Sequence, residues 1–108
     1  MLVRWYQGAP FAFTVDGPAG LDLTTATSIT VQLSKALGPF SFSKTVDVTK
    51  TLADGVTVVS ASVFTVEFSA SDSEDLSGSY RMQFNIVDVS GIPAIWAISP
   101  IPIIATLE

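Results

Sequence analysis

Apolar and polar residues alternate along most of the chain with the period of two that is typical of β-strands. In the clearest case, residues 80–86, apolar side chains occupy the even positions and polar ones the odd positions. Such a strand buries one face and exposes the other to water. The same alternation predicts strands in four further segments: 11–15, 29–33, 46–48 and 64–68.

Turn signals containing glycine separate these segments, among them Asp54-Gly55, Ser77-Gly78 and Ser90-Gly91. Helical periodicity hardly occurs, and no change of composition marks a linker. Seven or eight short strands joined by such turns predict an all-β fold, either a sandwich or a small barrel. A chain of 108 residues is long enough for one domain, which we expect to span residues 1–108.

One short helical turn is predicted near residues 71–77. Ser71 and Glu74 have the spacing of a capping box, in which the serine hydroxyl and the glutamate carboxylate each accept a hydrogen bond from a backbone N–H at the start of a helix. Gly78 is expected to end this turn.

Three acidic residues, Asp72, Glu74 and Asp75, lie in the same segment. Their alternative use is a calcium loop or a pair of catalytic carboxylates, as in a hydrolase without histidine. The segment lacks the Asp-x-Asp-x-Asp-Gly pattern of calcium loops, and acidic side chains are favourable at the positive end of a helix dipole. The capping interpretation is therefore favoured.

Two prolines punctuate the apolar segment 100–108. Alternate residues of a strand direct their backbone groups to the same edge, so Pro100 and Pro102 together remove hydrogen-bond donors from one edge. This pattern predicts an edge strand or an assembly arm whose outer edge is closed to further strands.

Ile101, Ile103 and Ile104 place apolar side chains on both faces of this segment. We expect them to be covered either by loops of the same domain or by a neighbouring subunit. Together with Trp5, they are the residues for which an assembly interface is predicted.

The sequence contains no His and no Cys. Their absence excludes a histidine general base, a Ser-His or Cys-His nucleophile, a redox thiol and the usual zinc or haem ligands. We therefore expect a protein that is not an enzyme and that uses no cofactor, metal ion or small-molecule substrate.

The net charge of −5, from 10 acidic and 5 basic residues, should repel a phosphate backbone, so no nucleic acid partner is expected. Charged residues make up only 14% of the chain, whereas Ser and Thr supply 24 residues. This composition predicts a hydroxyl-rich surface with uncharged area available for protein contact.

Residues 89–107 carry no charge, but Gly91 and three prolines divide them into pieces too short to cross a membrane as a helix. No membrane partner is therefore expected. The first residues lack the continuous apolar region of a signal peptide, which favours assembly in a cytoplasm.

Tyr80 stands at the start of the clearest predicted strand. In immunoglobulin-like sandwiches, a tyrosine two residues before a cysteine ties the turn into the sixth strand to upstream backbone. Tyr80 has that place, Met82 stands where the cysteine would be, and Leu76 and Gly78 belong to the preceding turn. The alternative is an ordinary core tyrosine, and both interpretations are structural.

Trp5, Tyr6 and Trp96 are candidates for a strip of aromatic side chains that binds carbohydrate. Such a strip requires all three rings to be exposed on one surface. Tryptophans of small β domains are more often anchors of the core or of an interface, which is the competing interpretation.

Five motifs occur in an order that resembles small immunoglobulin-like structural proteins of tailed bacteriophages, in particular the N-terminal domain of upper baseplate proteins. They are RWYQG at 4–8, LDLT at 21–24, DG at 54–55, EDLSGSY at 74–80 and DVSG at 88–91. The resemblance implies an immunoglobulin-like antiparallel β-sandwich.

The resemblance also implies a virion structural or adaptor protein of the tail, baseplate, neck or fibre attachment. Its partners would be other virion proteins and copies of itself, and its location would be the virion, after assembly in the host cytoplasm. Two alternatives are a carbohydrate-binding or host-adhesion module and a capsid decoration protein.

Overall fold

The computed structural model of the protein describes residues 5–18, 20–38, 41–52 and 54–104. Within these ranges the chain forms eight strands, one 3-10 turn at Leu23–Thr25 and one short helix, α1, at Ala70–Ser73. The strands are β1 Trp5–Tyr6, β2 Phe11–Asp16, β3 Ser28–Gly38, β4 Ser41–Leu52, β5 Gly55–Val58, β6 Val63–Phe68, β7 Gly78–Val87 and β8 Pro93–Ile104. The all-β prediction with seven or eight strands is confirmed.

The strands are hydrogen-bonded in the order β1-β8-β7-β3-β4-β5-β6-β2. Most neighbours are antiparallel, while β1 pairs with β8 and β4 with β5 in parallel. The Phe64 ring of β6 contacts the Phe84 ring of β7, with centroids 6.0 Å apart, although these strands are not neighbours in the sheet. The sheet therefore folds back on itself. The β6 side of the sheet thus lies face to face with the β7 side, as in a sandwich.

The inward positions of each strand form one apolar cluster between the two layers. In β7 the even residues predicted to face inward are all buried, while Arg81, Gln83 and Asn85 alternate with them at half-buried positions. The fully buried large side chains come from both layers and from the 3-10 turn: Trp5, Leu23, Ile29, Leu33, Phe64, Met82, Phe84, Ile86 and Ile101.

The helical turn lies slightly before its predicted position. It begins after Ser69, whose backbone N–H donates to the Asp72 carboxylate at 2.7 Å, so the capping pair is Ser69 and Asp72 rather than Ser71 and Glu74. The Asp72 carboxylate also accepts from Lys50 Nζ at 2.7 Å. This second partner, from β4, favours Asp72 over Glu74 as the capping acid.

Gly78 does not end the helix, which stops at Ser73. It is the first residue of β7, and its φ of +102° lies in the region that favours glycine. Leu76 N–H donates to the Ser73 carbonyl at 3.0 Å, so the chain leaves the helix through a tight turn before β7 starts.

The outer edge of β8 is not closed along its whole length, in contrast to the prediction for 100–108. The short strand β1 adds to it at Ile103 and Ile104, and the Ile104 carbonyl accepts from Gln7 N–H at 2.8 Å. Proline removes donors but no acceptors, so a strand that pairs beyond Pro102 is still accommodated. Residues 105–108 of the predicted arm lie outside the described residues.

Candidate functional site

The structure buries most of the residues predicted to form an assembly interface. Trp5, Ile101 and Ile103 are 0%, 1% and 2% exposed, and they belong to the core of the chain itself. The covering of these side chains is therefore supplied by the same domain, and they form no outward surface. Ile104, at 39% exposure, is the member of the predicted set that remains available for contact.

Trp5 is held in the core by aromatic neighbours and by one hydrogen bond. Its ring lies 5.3 Å from that of Phe11 and 4.7 Å from that of Phe68, measured between centroids. The indole Nε1–H donates to the Ala9 carbonyl at 3.2 Å. A buried indole with a satisfied N–H acts as an anchor between β1 and the opposite layer.

A β-bulge in β8 decides which isoleucines face inward. Met82 of β7 is opposite Ile98, whereas Tyr80 is opposite Ile101, so three steps along β8 match two along β7. The extra residue shifts the alternation by one position. Before the bulge the residues of β8 with even numbers face inward, and after it those with odd numbers do. Ile101 and Ile103 therefore lie in the core.

The apolar side chains left exposed lie before the bulge and in the adjoining hairpin. Ile95 faces outward and is 58% exposed. Ile92 and Ile98 have the inward numbering but remain 64% and 42% exposed, and Val89 at the hairpin tip is also exposed. We call residues 92–98 the β8 edge segment. Its sequence, Ile-Pro-Ala-Ile-Trp-Ala-Ile, carries no charge, so it offers an apolar contact surface on an otherwise acidic protein.

The backbone of the β8 edge segment is also available for pairing. Asp88 N–H donates to the Ile92 carbonyl at 3.2 Å, so alternate residues from Ile92 onwards direct their backbone groups at β7. The backbone hydrogen-bonding groups of Pro93, Ile95 and Ala97 therefore point away from β7. Among the described residues, β1 is the strand that pairs with this outer side of β8, and it reaches only Ile103 and Ile104.

A cleft of about 420 Å³ lies beside the β8 edge segment. One wall is formed by the end of β2, the last strand of the sheet order, and the other by β8. The lining residues are Asp16, Gly17, Pro18, Ala94, Ile95 and Trp96. The two end strands of the sheet order, β1 and β2, contact each other through Trp5 and Phe11. Farther along β8 the cleft separates β8 from the end of β2, so the sandwich is open there.

Trp96 forms the floor between this cleft and the core. Its ring stacks on that of Phe84 with centroids 5.0 Å apart and an angle of 23° between the planes. On the outer face of the sheet, Asn85 is opposite Ile95, and its Oδ1 atom is buried without a hydrogen-bond partner within the described part of the chain.

The predicted carbohydrate strip is not formed. Trp5 is fully buried, Tyr6 is exposed on the opposite face of the same short strand, and Trp96 is half-buried against Phe84. Adjacent residues of a strand point to opposite faces, so Trp5 and Tyr6 cannot present their rings together.

The acidic cluster at α1 is occupied by structural contacts. Burial alone would raise the pKa of Asp72, but its hydrogen bonds with Lys50 and Ser69 and the Lys50 charge outweigh that effect and hold the pKa below 3.8. Glu74 and Asp75 are exposed. In the ranges that the structure describes, no group of three or more His, Cys, Asp or Glu side chains is placed to hold a metal ion.

Tyr80 is buried at the corner that the sequence predicted. Burial raises its pKa above 10.0, a hydrogen bond with the Ser77 backbone opposes that effect, and the Asp47 charge adds to it. Lys35 Nζ donates to the Ser77 carbonyl at 3.0 Å and lies 5.7 Å from the centre of the Tyr80 ring. Leu76 packs against the core beside this corner, which is structural.

Comparisons with known proteins give one structural similarity. No protein-family model matches the chain, and no curated protein matches it. A solved structure from amphioxus, "Structure of the V domain of amphioxus IgVJ-C2", is similar over 97% of this chain and 100% of its own, with 12% identity and a TM-score of 0.41. The resemblance to bacteriophage proteins stays a prediction from the sequence motifs.

Among the residues that the structure describes, no helix has the length and apolar character needed to span a membrane.

Proposed function

We propose that this protein is a structural or adaptor component of a tailed-bacteriophage virion and that it acts by protein–protein contact through the β8 edge segment, without catalysis. The observation that carries the proposal is the combination of exposed Ile92, Ile95 and Ile98 side chains with outward backbone groups on one uncharged strand. Edge strands of isolated proteins usually carry charges or other protection against pairing, and within residues 92–98 the only such protection is Pro93.

The motif order of the sequence supplies the virion part of the proposal. The exposed isoleucines of the β8 edge segment also fit a module that is built into a larger particle, because assembly contacts need complementary apolar patches on a rigid scaffold. The cleft of about 420 Å³ beside Trp96 adds a recess into which a partner's side chain fits.

The experiment that tests this function examines virions of the phage that encodes the chain. We expect mass spectrometry of purified particles to detect the protein and immunogold labelling to place it at one structural position. Virions that lack the protein would contradict the proposal.

A pair of matched variants tests the docking surface in the same particles. Ile95→Lys places a charge on the β8 edge segment, whereas Val59→Lys places one at a similarly exposed apolar residue elsewhere, 62% against 58%. We expect Ile95→Lys to reduce incorporation at least about tenfold, equivalent to about 1.4 kcal/mol, and Val59→Lys to leave it unchanged. Equal incorporation of both variants would exclude the β8 edge segment as the contact.

A further inference from the structure

We propose that the β8 edge segment pairs with the same segment of a second copy of this chain, antiparallel and about a two-fold axis at Ile95. This inference deepens the proposed function, since it names a partner for the same surface. An antiparallel strand pair is symmetric about such an axis, so one surface can serve both copies.

The backbone fits this register. The outward groups belong to Pro93, Ile95 and Ala97, because Asp88 N–H bonds the Ile92 carbonyl and sets the alternation. With the axis at Ile95, each Ile95 N–H donates to the carbonyl of Ile95 in the other copy. Each Ala97 N–H then donates to the carbonyl of Pro93 in the other copy, and the proline needs no acceptor of its own.

The side chains also fit when the β8 edge segments of two copies are paired. The axis at Ile95 places Ile92 opposite Ile98 of the other copy, so two exposed isoleucines cover each other on each side of the axis. It places the small Ala94 opposite the large Trp96, beside the cleft that both residues line. Aromatic and β-branched side chains that lie directly opposite each other stabilise a strand pair.

Charge favours a second copy at this place over other parts of the surface. Two chains of net charge −5 repel each other, and the repulsion is weakest where the strands that meet are uncharged, although Asp16 lines the cleft beside them. Residues 89–107 contain no Asp, Glu, Lys or Arg. Added salt screens the general repulsion, so we expect dimer formation to strengthen with ionic strength, whereas an interface built on ion pairs would weaken.

Sedimentation equilibrium of the full chain tests the pairing. We expect the average mass to rise with concentration from 11.4 kDa towards twice that value. Ile95→Lys and Ala97→Pro are each expected to weaken the dimer at least about tenfold, since one adds a charge at the axis and the other removes an outward donor. Val59→Lys is the matched control and should dimerise like the unmodified chain.

Single cysteines test the register, because the chain has none of its own. Opposed residues of a hydrogen-bonded antiparallel pair have Cα atoms about 5.5 Å apart, within the range of a disulfide. Ile95→Cys should therefore cross-link two copies under mild oxidation. In Ala97→Cys the two cysteines lie four residues apart along the strands, about 14 Å, so that variant and Val59→Cys should not cross-link efficiently.

The outcomes separate this inference from the proposed function. A strictly monomeric chain, or a dimer that Ile95→Lys and Ala97→Pro leave intact, overturns the second-copy pairing. If such a monomer is still incorporated into virions and Ile95→Lys prevents it, the surface binds another virion protein and the proposed function stands. A dimer with the predicted cross-link in a protein absent from virions supports the pairing and contradicts the virion role.

Discussion

The Ser73 hydroxyl donates a hydrogen bond to the backbone carbonyl of Ala9, 3.2 Å away, and so joins helix α1 to the turn between β1 and β2. The same hydroxyl accepts from Gly8 N–H at 3.1 Å, and the Ala9 carbonyl also accepts from the Trp5 indole. Ser73 is fully buried. Ser73 therefore links parts of the chain more than sixty residues apart. It supports the turn that follows β1, the short strand that covers the end of β8.

Ser73→Ala is expected to lower the free energy of unfolding by about 1 to 3 kcal/mol, because it leaves the Gly8 N–H without its acceptor. Ser71→Ala, in the same helix but exposed, is the matched control and should change stability by less than about 0.5 kcal/mol. Urea unfolding of both variants measures the difference. Equal stabilities would show that the link between α1 and the β1–β2 turn contributes little.

Asp72→Asn is expected to lower the free energy of unfolding by about 1 kcal/mol at neutral pH, since the Lys50 pair and the charged cap are both lost. The pKa of Asp72 is lowered in the folded protein, so its contribution is present above 3.8 and disappears as the pH falls below that value. The difference between variant and unmodified protein should shrink below this pH. Glu74→Gln, at an exposed position, is the control, and a difference independent of pH would contradict the assignment.

The raised pKa of Tyr80 predicts a loss of stability in alkali. The folded state holds the phenol proton more tightly than the unfolded state, so the stabilising effect is complete below about pH 10 and is lost as the pH rises beyond it. Tyr80→Phe should remove this part of the pH dependence, which thermal unfolding between neutral pH and alkali can measure. An identical alkaline decline in the variant would mean that another group causes it.

Gly55→Ala is expected to destabilise the protein more than Gly91→Ala. Both glycines have positive φ, +96° and +82°, so both substitutions impose similar backbone strain. A Cβ at Gly55 would lie 2.6 Å from Lys50 Cδ and 3.1 Å from the Glu67 carbonyl oxygen, whereas at Gly91 nothing lies within 4 Å. We expect a difference of about 1 to 2 kcal/mol in unfolding by denaturant, and equal effects would contradict the close packing at Gly55.

Local alternation predicted the strands well where a strand keeps one phase. In β7 the buried positions were identified from sequence because its side chains alternate without interruption from Tyr80 to Ile86. In β8 the bulge between Ile98 and Ile101 changes which residues face inward. Because the strand has apolar residues on both faces before and after the bulge, the sequence shows no alternation that would reveal the change. The exposed Ile92, Ile95 and Ile98 could therefore not be separated from the buried isoleucines by pattern alone.

Contacts distant in sequence account for the other differences. The burial of Trp5 depends on parallel pairing with Ile103 and on packing against Phe68, and neither leaves a local signal. The cap chosen at α1 depends on Lys50 of β4, which sequence spacing around Asp72 cannot show. Interactions of this kind become visible only when the layers are assembled.

Hydrogen exchange at the outward amides of the β8 edge segment shows whether this strand edge binds the protein's partners. In dilute solution the N–H groups of Ile95 and Ala97 should exchange rapidly, while that of Trp96, directed at β7, should be protected. In the assembled state, whether concentrated protein or purified virions, we expect the Ile95 and Ala97 amides to become protected as well. Equally rapid exchange of these two amides in the dilute and assembled states would contradict the claim that this strand edge is where the protein binds its partners.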